Sequence, residues 1–494
     1  MKTAAATVEL VFIPFPATGH LVSTVEMAKQ LVRRDHRLSI TVLIIEMSFD
    51  KSKVSSSTQS QLLAAAAEER LKFVYLPQDE AALAGLVPGN VTGIIQMNKQ
   101  HARDHVTKMV STGSTRIAGF VIDLLCTPMM DVAAELGLPS YIFSTSNAAV
   151  LGLLFHFETL SREPNRDIAE LKDSDVELAV PGFVNSVPAK VLPSVLLEKE
   201  SVFINIAKRM RESKGIMVNT FAELESNAVR SLAEGDKVPP VYSVGAVIHL
   251  VKDKNEEAME IMRWLDNQPP SSVVFLCFGS MGSFEGDQLI VSTSLQLRQI
   301  AQALEQSGHR FLWSVRQPPP KGKREIPGEY RDLNHVLPEG FLERTTEIGK
   351  VIGWAPQAAV LTHTAVRGFV SHCGWNSILE SLWCGVPVAT WPMYAKQQLN
   401  AFQLVKELGL AVEIKLDYNK DFRQNGTEVV LVTAEEIEIG IKKLMESGNE
   451  CGEKIKQRVK EMSEKSKIAV VEGGSSYRSI GLLIEEFMKN ILIN

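Results

Sequence analysis

No run of this chain approaches the roughly 18 uninterrupted apolar residues of a membrane-spanning helix. The longest, Ala148 to Phe157, is too short and contains His156. Cysteine is scarce: five in 494 residues, far apart, odd in number and without a CxxC pair. That argues against a disulfide scaffold and a structural zinc site. Positive charge is not in excess either. Lys and Arg number 52 against 58 Asp and Glu, a formal charge of −6, so the clustered basic footprint of a nucleic-acid binder is missing. The N-terminus has no long apolar core followed by a cleavage site. The expectation is a cytoplasmic monomer without a membrane span, in which the sequons at Asn90 and Asn425 are chance matches.

Several chemical signatures are absent too. No GxGxxG follows a strand, so the dinucleotide fingerprint is missing. There is no GxxxxGKS/T phosphate loop, no HExxH and no GxSxG nucleophile elbow.

What is present is alternation. Short runs rich in Val and Ile (Val8–Ile13, Ser39–Ile45, Phe73–Leu76, Gly119–Ile122, Ser140–Phe143, Ile216–Val218, Val241–Val244) are separated by segments of helical period. Continuous apolarity predicts strands covered on both faces, as in a parallel sheet between helices. The pattern restarts after Pro269-Pro270, with strands expected at Val273–Phe278, Phe311–Val315, Lys350–Ile352, Gly368–Val370 and Val388–Thr390. Thr220 with Glu223, and Thr433 with Glu436, read as capping boxes opening helices. The fold class is therefore α/β, two doubly wound parallel-sheet domains. The charged stretch VKDKNEEA marks a linker at 249–258, between domains of residues 1–248 and 259–474. Gln317–Glu329, with three consecutive prolines, reads as a surface loop. The amphipathic tail 475–494 (Ile480, Leu483, Ile484, Phe487) should dock on another element.

Two segments carry chemistry. In PFPATGH, Pro14 to His20, a strand ends, Gly19 makes a turn and a helix begins near Val22. His20 thus stands at a strand's C-terminal end, where doubly wound sheets bind ligands. Asp123, ending a neighbouring strand, shares that rim. A neutral His held by an Asp is a competent general base; the plainer alternative makes His20 a helix-start residue and Asp123 an N-cap. The second segment is WAPQAAVLTHTAVRGFVSHCGWNSILESLWCGVPVATWPMYAKQ. Within it, SHCGWNSILE is a strand–turn–helix joint, with Gly374 at the turn and the helix starting about Asn376 or Ser377. The first helical amides are unpaired donors suited to a diphosphate, and His372 adds another. Asn376, Ser377 and Glu380 share a helix face, where a carboxylate accepts both hydroxyls of a ribose. Trp354 offers a flat surface on which a base can stack.

This 44-residue block, Trp354 to Gln397, resembles the signature box of the plant family 1 UDP-dependent glycosyltransferases. The resemblance extends to PFPATGH, Asp123 and the FGS before Met281. It implies a GT-B fold, two Rossmann-like domains facing across a cleft, with the C-terminal helix crossing back to the N-terminal domain. It also implies UDP on the C-terminal domain: Trp354 on uracil, the Ala355 backbone at the base edge, Gln357 and Glu380 on the ribose. Ser280, His372, Asn376 and Ser377 would hold the diphosphate, with Gly374 in the turn. Trp375 and Gln397 would face the sugar, and Thr145 would reach its outer hydroxyl. No metal or resident cofactor is implied, since helix amides and His372 meet the diphosphate's charge. UDP-glucose is the expected donor. The resemblance implies an inverting transfer to a hydroxyl or carboxyl of a small, largely apolar acceptor such as a flavonoid, phenolic, terpenoid or hormone-like carboxylic acid, walled by Ala148–Phe157 and chosen by loops at Gly85–Val91 and Pro181–Leu196.

Two positions depart from the family pattern. Lys396 stands where Asp or Glu is usual, and an ammonium is a pure donor. Three explanations remain open: it donates to a sugar oxygen, it points away, or the donor sugar differs. Arg367 replaces a usual Gly and reads as a solvated surface substitution. Cys373 and Cys384 read as small core fillers.

Overall fold

The computed structural model describes residues 7–46, 68–78, 91–111, 116–163, 168–172, 174–198, 201–250, 255–284, 290–320, 326–418 and 431–492. The apolar runs become strands whose two faces are both shielded from water. Seven form one parallel sheet: β1 (Val8–Ile13), β2 (Leu38–Ile44), β3 (Leu71–Tyr75), β4 (Arg116–Asp123), β5 (Ser140–Ser144), β6 (Gly215–Val218) and β7 (Val241–Ser243), in the order β3-β2-β1-β4-β5-β6-β7. Six form a second: β8 (Val273–Cys277), β9 (Arg310–Ser314), β10 (Gly349–Ile352), β11 (Val366–Ser371), β12 (Val388–Thr390) and β13 (Ala411–Glu413), ordered β10-β9-β8-β11-β12-β13. Each order runs outward from its first strand and then reverses. The reversal opens a crevice at the strands' carboxyl ends, between β1 and β4 in one sheet and between β8 and β11 in the other. Register fixes what shares each rim: Ile13 pairs with Ile122, and Cys277 with Ser371.

The cores follow the pattern of the sequence. Glu9, the one acid inside β1, is buried and takes hydrogen bonds from the hydroxyls of Thr41 (2.6 Å) and Ser39 on β2. The terminal helix Ser475–Leu492 lies against the first sheet, placing Ile480, Leu483, Ile484 and Phe487 in a cluster with Leu10, Phe12, Tyr141 and Phe143. Asn490 anchors its end through Nδ2, which donates to the Ala118 carbonyl at 2.8 Å and the Tyr141 hydroxyl at 2.9 Å.

Several expectations shift. Thr433 and Glu436 form their capping box at the head of Ala434–Met445, but Thr220 and Glu223 do not. There the chain makes a turn and the helix starts later, at Ser226. The helix after β1, α1, runs Thr18–Arg34 and so begins before His20. Arg367 is not solvated. β11 is an interior strand covered by helices, so its side chain is only 10% exposed and donates to Glu453 at 3.1 Å; a charge at such a site needs a partner. Residues 251–254 of the expected linker lie outside the described residues, and the helix Glu256–Asp266 starts within its span. The loop 317–329 is closed by a bridge between Gln317 and Gly328, with residues 321–325 outside the described residues. Asn90, Asn425 and the stretch 85–90 also fall outside them.

Candidate active site

His20 lies in the first turn of α1, and Asp123 ends β4 on the adjoining rim. Asp123 Oδ2 sits 2.7 Å from His20 Nδ1, while Oδ1 accepts the Leu125 amide at 2.9 Å. Asp123 makes both expected contacts at once: one oxygen caps the short helix beyond the strand, and the other meets the imidazole. A carboxylate can only accept, so Nδ1 carries the proton and Nε2 keeps its lone pair. The Thr145 hydroxyl also lies at Nδ1, 3.1 Å away, and Phe15 packs edge-on to the ring. Asp123 is fully buried and His20 about one-fifth exposed, the arrangement of a held base open to a cleft.

Across the gap, β11 runs into α4 (Trp375–Cys384). The turn differs from the expected one. Gly374 is the helix N-cap with an ordinary φ of −63°, and Cys373 takes the left-handed conformation, φ 61°. A non-glycine there is strained by about 1–3 kcal/mol, held by Ser371 Oγ on its amide at 3.2 Å. His372 is clasped between Gly279 and Gly374; a Cβ on either would come within 2.6 or 2.5 Å of its Nε2. Burial pulls its pKa down to about 4, and its Nδ1 is buried without a partner. A neutral imidazole still has one N–H to offer. Ser280 stands half-buried in the loop after β8, on the same rim.

Gln357 opens helix α3 (Gln357–Leu361), and its Nε2 donates to Ser377 Oγ at 2.9 Å and Glu380 Oε2 at 2.7 Å. The structure thus brings Gln357, Ser377 and Glu380, three of the expected ribose and diphosphate residues, together. Burial pushes the Glu380 carboxyl up to about 7, against the pull of Gln357. The Ala355 carbonyl accepts the Gln357 amide at 2.8 Å. Trp354 is half-buried, with the Arg316 guanidinium 5.1 Å from its ring centroid.

Two residues are placed otherwise than expected. The Trp375 ring reaches across to the opposite domain and is not among the described residues lining the cavity between the two rims. It is 3% exposed, and its N–H donates to the Asn219 carbonyl at 2.7 Å, because an indole buried at a seam between two sheets needs an acceptor. Asn376 is engaged with the opposite domain, Nδ2 donating to the Gly19 carbonyl at 3.0 Å and Oδ1 accepting from Ser23 at 3.3 Å. Gln397 is 5% exposed; its Oε1 accepts the amides of Met393 (2.9 Å) and Tyr394 (3.0 Å), leaving Nε2 to point elsewhere.

Between the two rims lies a cavity of about 250 Å³. Its apolar wall is helix α2 (Ala148–Leu160), through Val150, Leu151 and Leu154, together with Leu196 and Phe203. His20, Gly374, Lys396 and Gln397 line its polar end. Sequence reasoning missed the buried network behind it. Asn147, the N-cap of α2, donates to Asn400 (3.1 Å) and Gln403 (2.6 Å); Asn400 donates to the strained Cys373 carbonyl (2.9 Å). Gln403 in turn donates to Glu225 (2.8 Å), whose carboxylate receives the first amides of α2, Ala148 and Ala149. Only the small polar cluster STSN before α2 hints at this; nothing in the spacing pairs it with Asn400 or Gln403. Among the described residues no three His, Cys, Asp or Glu side chains group to hold a metal ion.

A family model for UDP-glucoronosyl and UDP-glucosyl transferases matches residues 197–430. UDP-glycosyltransferase 71A15 of Malus domestica is 51% identical over 97% of this chain and 99% of its own. UDP-glucose flavonoid 3-O-glucosyltransferase 6 of Fragaria ananassa is 52% identical, covering 98% and 99%. Among solved structures, a transferase from Siraitia grosvenorii in complex with UDP matches with TM-score 0.83 and 46% identity, over 98% of this chain and 100% of that one. Medicago truncatula UGT71G1, complexed with UDP-glucose, matches with TM-score 0.81 and 40% identity, over 99% and 100%.

Proposed function

The chain belongs to the UDP-glycosyltransferases and has their GT-B fold, and we propose that within them it is an inverting O-glucosyltransferase. The observation that carries this reading is the 2.7 Å link from Asp123 to His20 at the edge of the cavity, facing the β11–α4 joint. His20 Nε2 takes the proton of an acceptor hydroxyl as that oxygen attacks the anomeric carbon. Asp123 fixes the ring and stabilises its charged form, the division of labour of a Ser–His–Asp site with the acceptor in place of serine. The bond from that carbon to UDP breaks on the opposite face, and its electron pair goes to the diphosphate. Amides at the head of α4 and the His372 N–H meet that charge. One displacement converts the α-linked donor into a β-glucoside.

UDP-glucose is the donor we assign, in line with the glucosyl relatives and the UDP-glucose complex. The apolar wall of α2 suits a small flat aglycone such as a flavonoid, a phenol or a terpenoid alcohol. Incubating the purified protein with UDP-glucose and a panel of phenols tests this directly. Equal amounts of UDP and glucoside should appear. UDP binding without any glucoside would make the chain a sugar-nucleotide-binding protein instead.

A further inference from the structure

The cavity beside His20 is apolar over most of its wall, yet a lysine ends in it. After the exposed turn residue Ala395 (φ 57°), Lys396 caps the helix Gln397–Phe402, and its Nζ donates to Ser146 Oγ on the opposite domain. Gln397 holds that turn through two backbone amides, so the lysine's direction across the gap is set by the backbone. His20 and Tyr394 are the other titratable groups among the described lining residues, and none of these is a carboxylate. Asp123 acts on the ammonium only through space, since its two oxygens are taken by His20 and the Leu125 amide. A hydroxyl offers one partner to a group with three N–H donors. Poorly paired ammonium in an apolar enclosure is costly and draws in an anion. Burial pulls the Lys396 pKa down to about 8 while Asp123 raises it, so the charged form prevails at neutral pH.

We propose that Lys396 recognises a carboxylate brought into this cavity, carried either by the acceptor or by carbon 6 of a uronic donor sugar. The proposal rests on the glycosyl-transfer reading for the cavity's role, its donor branch would put a uronic sugar in place of glucose, and it concerns recognition rather than a bond-making step.

Two matched pairs test it. A hydroxyphenyl carboxylic acid and its methyl ester are compared with UDP-glucose as donor; UDP-glucuronate and UDP-glucose are compared with a neutral phenol as acceptor. The readout is the ratio of kcat/KM within each pair, for the native protein, Lys396→Met and Lys396→Glu. A charge-assisted hydrogen bond predicts that the native protein favours the carboxylate member of at least one pair by about tenfold or more. Lys396→Met should cancel that ratio and Lys396→Glu should invert it; the pair that responds identifies the carboxylate's source. Ratios that are the same in the native protein and in Lys396→Met, in both pairs, would overturn the proposal. Lys396→Gln takes the place of the methionine variant if that one does not fold. Equilibrium binding separates the two claims: the acceptor pair is measured on UDP-loaded protein and the donor pair on free protein. A carboxylate preference there without sugar transfer would sink the transferase reading alone, whereas transfer with flat ratios would sink this one alone.

Discussion

The joint between β11 and α4 and the cavity wall along α2 face each other across one gap, yet they are built differently. In the joint, polar atoms are held in fixed bonds: Gln357 ties Ser377 to Glu380, Ser371 holds the Cys373 amide, and two glycines clasp His372. Along α2 the surface lining the cavity is aliphatic, and on the proposed reading an acceptor there would be selected by shape and by whichever polar group intrudes. A diphosphate with several acceptor oxygens can be recognised only by donors at set distances, so its site demands particular residues at particular spacings. An apolar acceptor demands only a dry volume, which many sequences supply equally well.

If the two sides do separate tasks, variants should separate them too. The largest effect should come from His20→Ala. Transfer to an alcohol should fall on the order of 10²–10⁴-fold, while calorimetry shows UDP binding unchanged. Asp123→Asn should cost less with acidic phenols, which need little deprotonation, than with alcohols. The converse variant is Gly279→Ala. At φ 79° the new Cβ is strained and would press on His372 at 2.6 Å, so donor use should weaken by about 10²-fold while the His20–Asp123 pair stays intact. An unchanged KM for the sugar nucleotide would break the claim that His372 must be held in place.

Asn147→Ala touches both sides. It leaves Asn400 and Gln403 short of a donor, at about 1–3 kcal/mol for each stranded buried group, which should appear as a lowered melting temperature. Because Asn400 also holds the Cys373 carbonyl, UDP affinity should drop with it. A stability loss with UDP affinity untouched would mean that the network supports only the acceptor wall. The smallest effect is with pH. Burial raises the Glu380 carboxyl to about 7, and on the proposed reading its ionised form is the better acceptor for the ribose hydroxyls. UDP affinity should therefore be full above that value and settle about tenfold lower well below it, the worth of one charge-assisted hydrogen bond. Glu380→Gln should flatten this profile.

The same contrast explains what the sequence made legible. The two sheets were readable because parallel strands leave continuous Val and Ile runs, and the joint was readable because its residues lie within one short segment. Thr220 misled because a box-like spacing names no helix unless the chain turns there. Trp375 and Asn376 were assigned from the box alone, but their partners Asn219 and Gly19 lie in the other domain, beyond the reach of local spacing. The network from Asn147 to Glu225 was invisible for the same reason, its members being scattered between positions 147 and 403. Arg367 was misjudged because an interior strand and an edge strand look alike until their neighbours are known.

The central claim is a single displacement across the gap, with His20 on one side of the sugar and the β11–α4 joint on the other. Proton NMR of the first product formed from UDP-glucose and a simple phenol tests it most directly. The account predicts a β-glucoside from the earliest time point, with the large anomeric coupling of that configuration. An α-glucoside, or one formed at the native rate by His20→Ala, would contradict it.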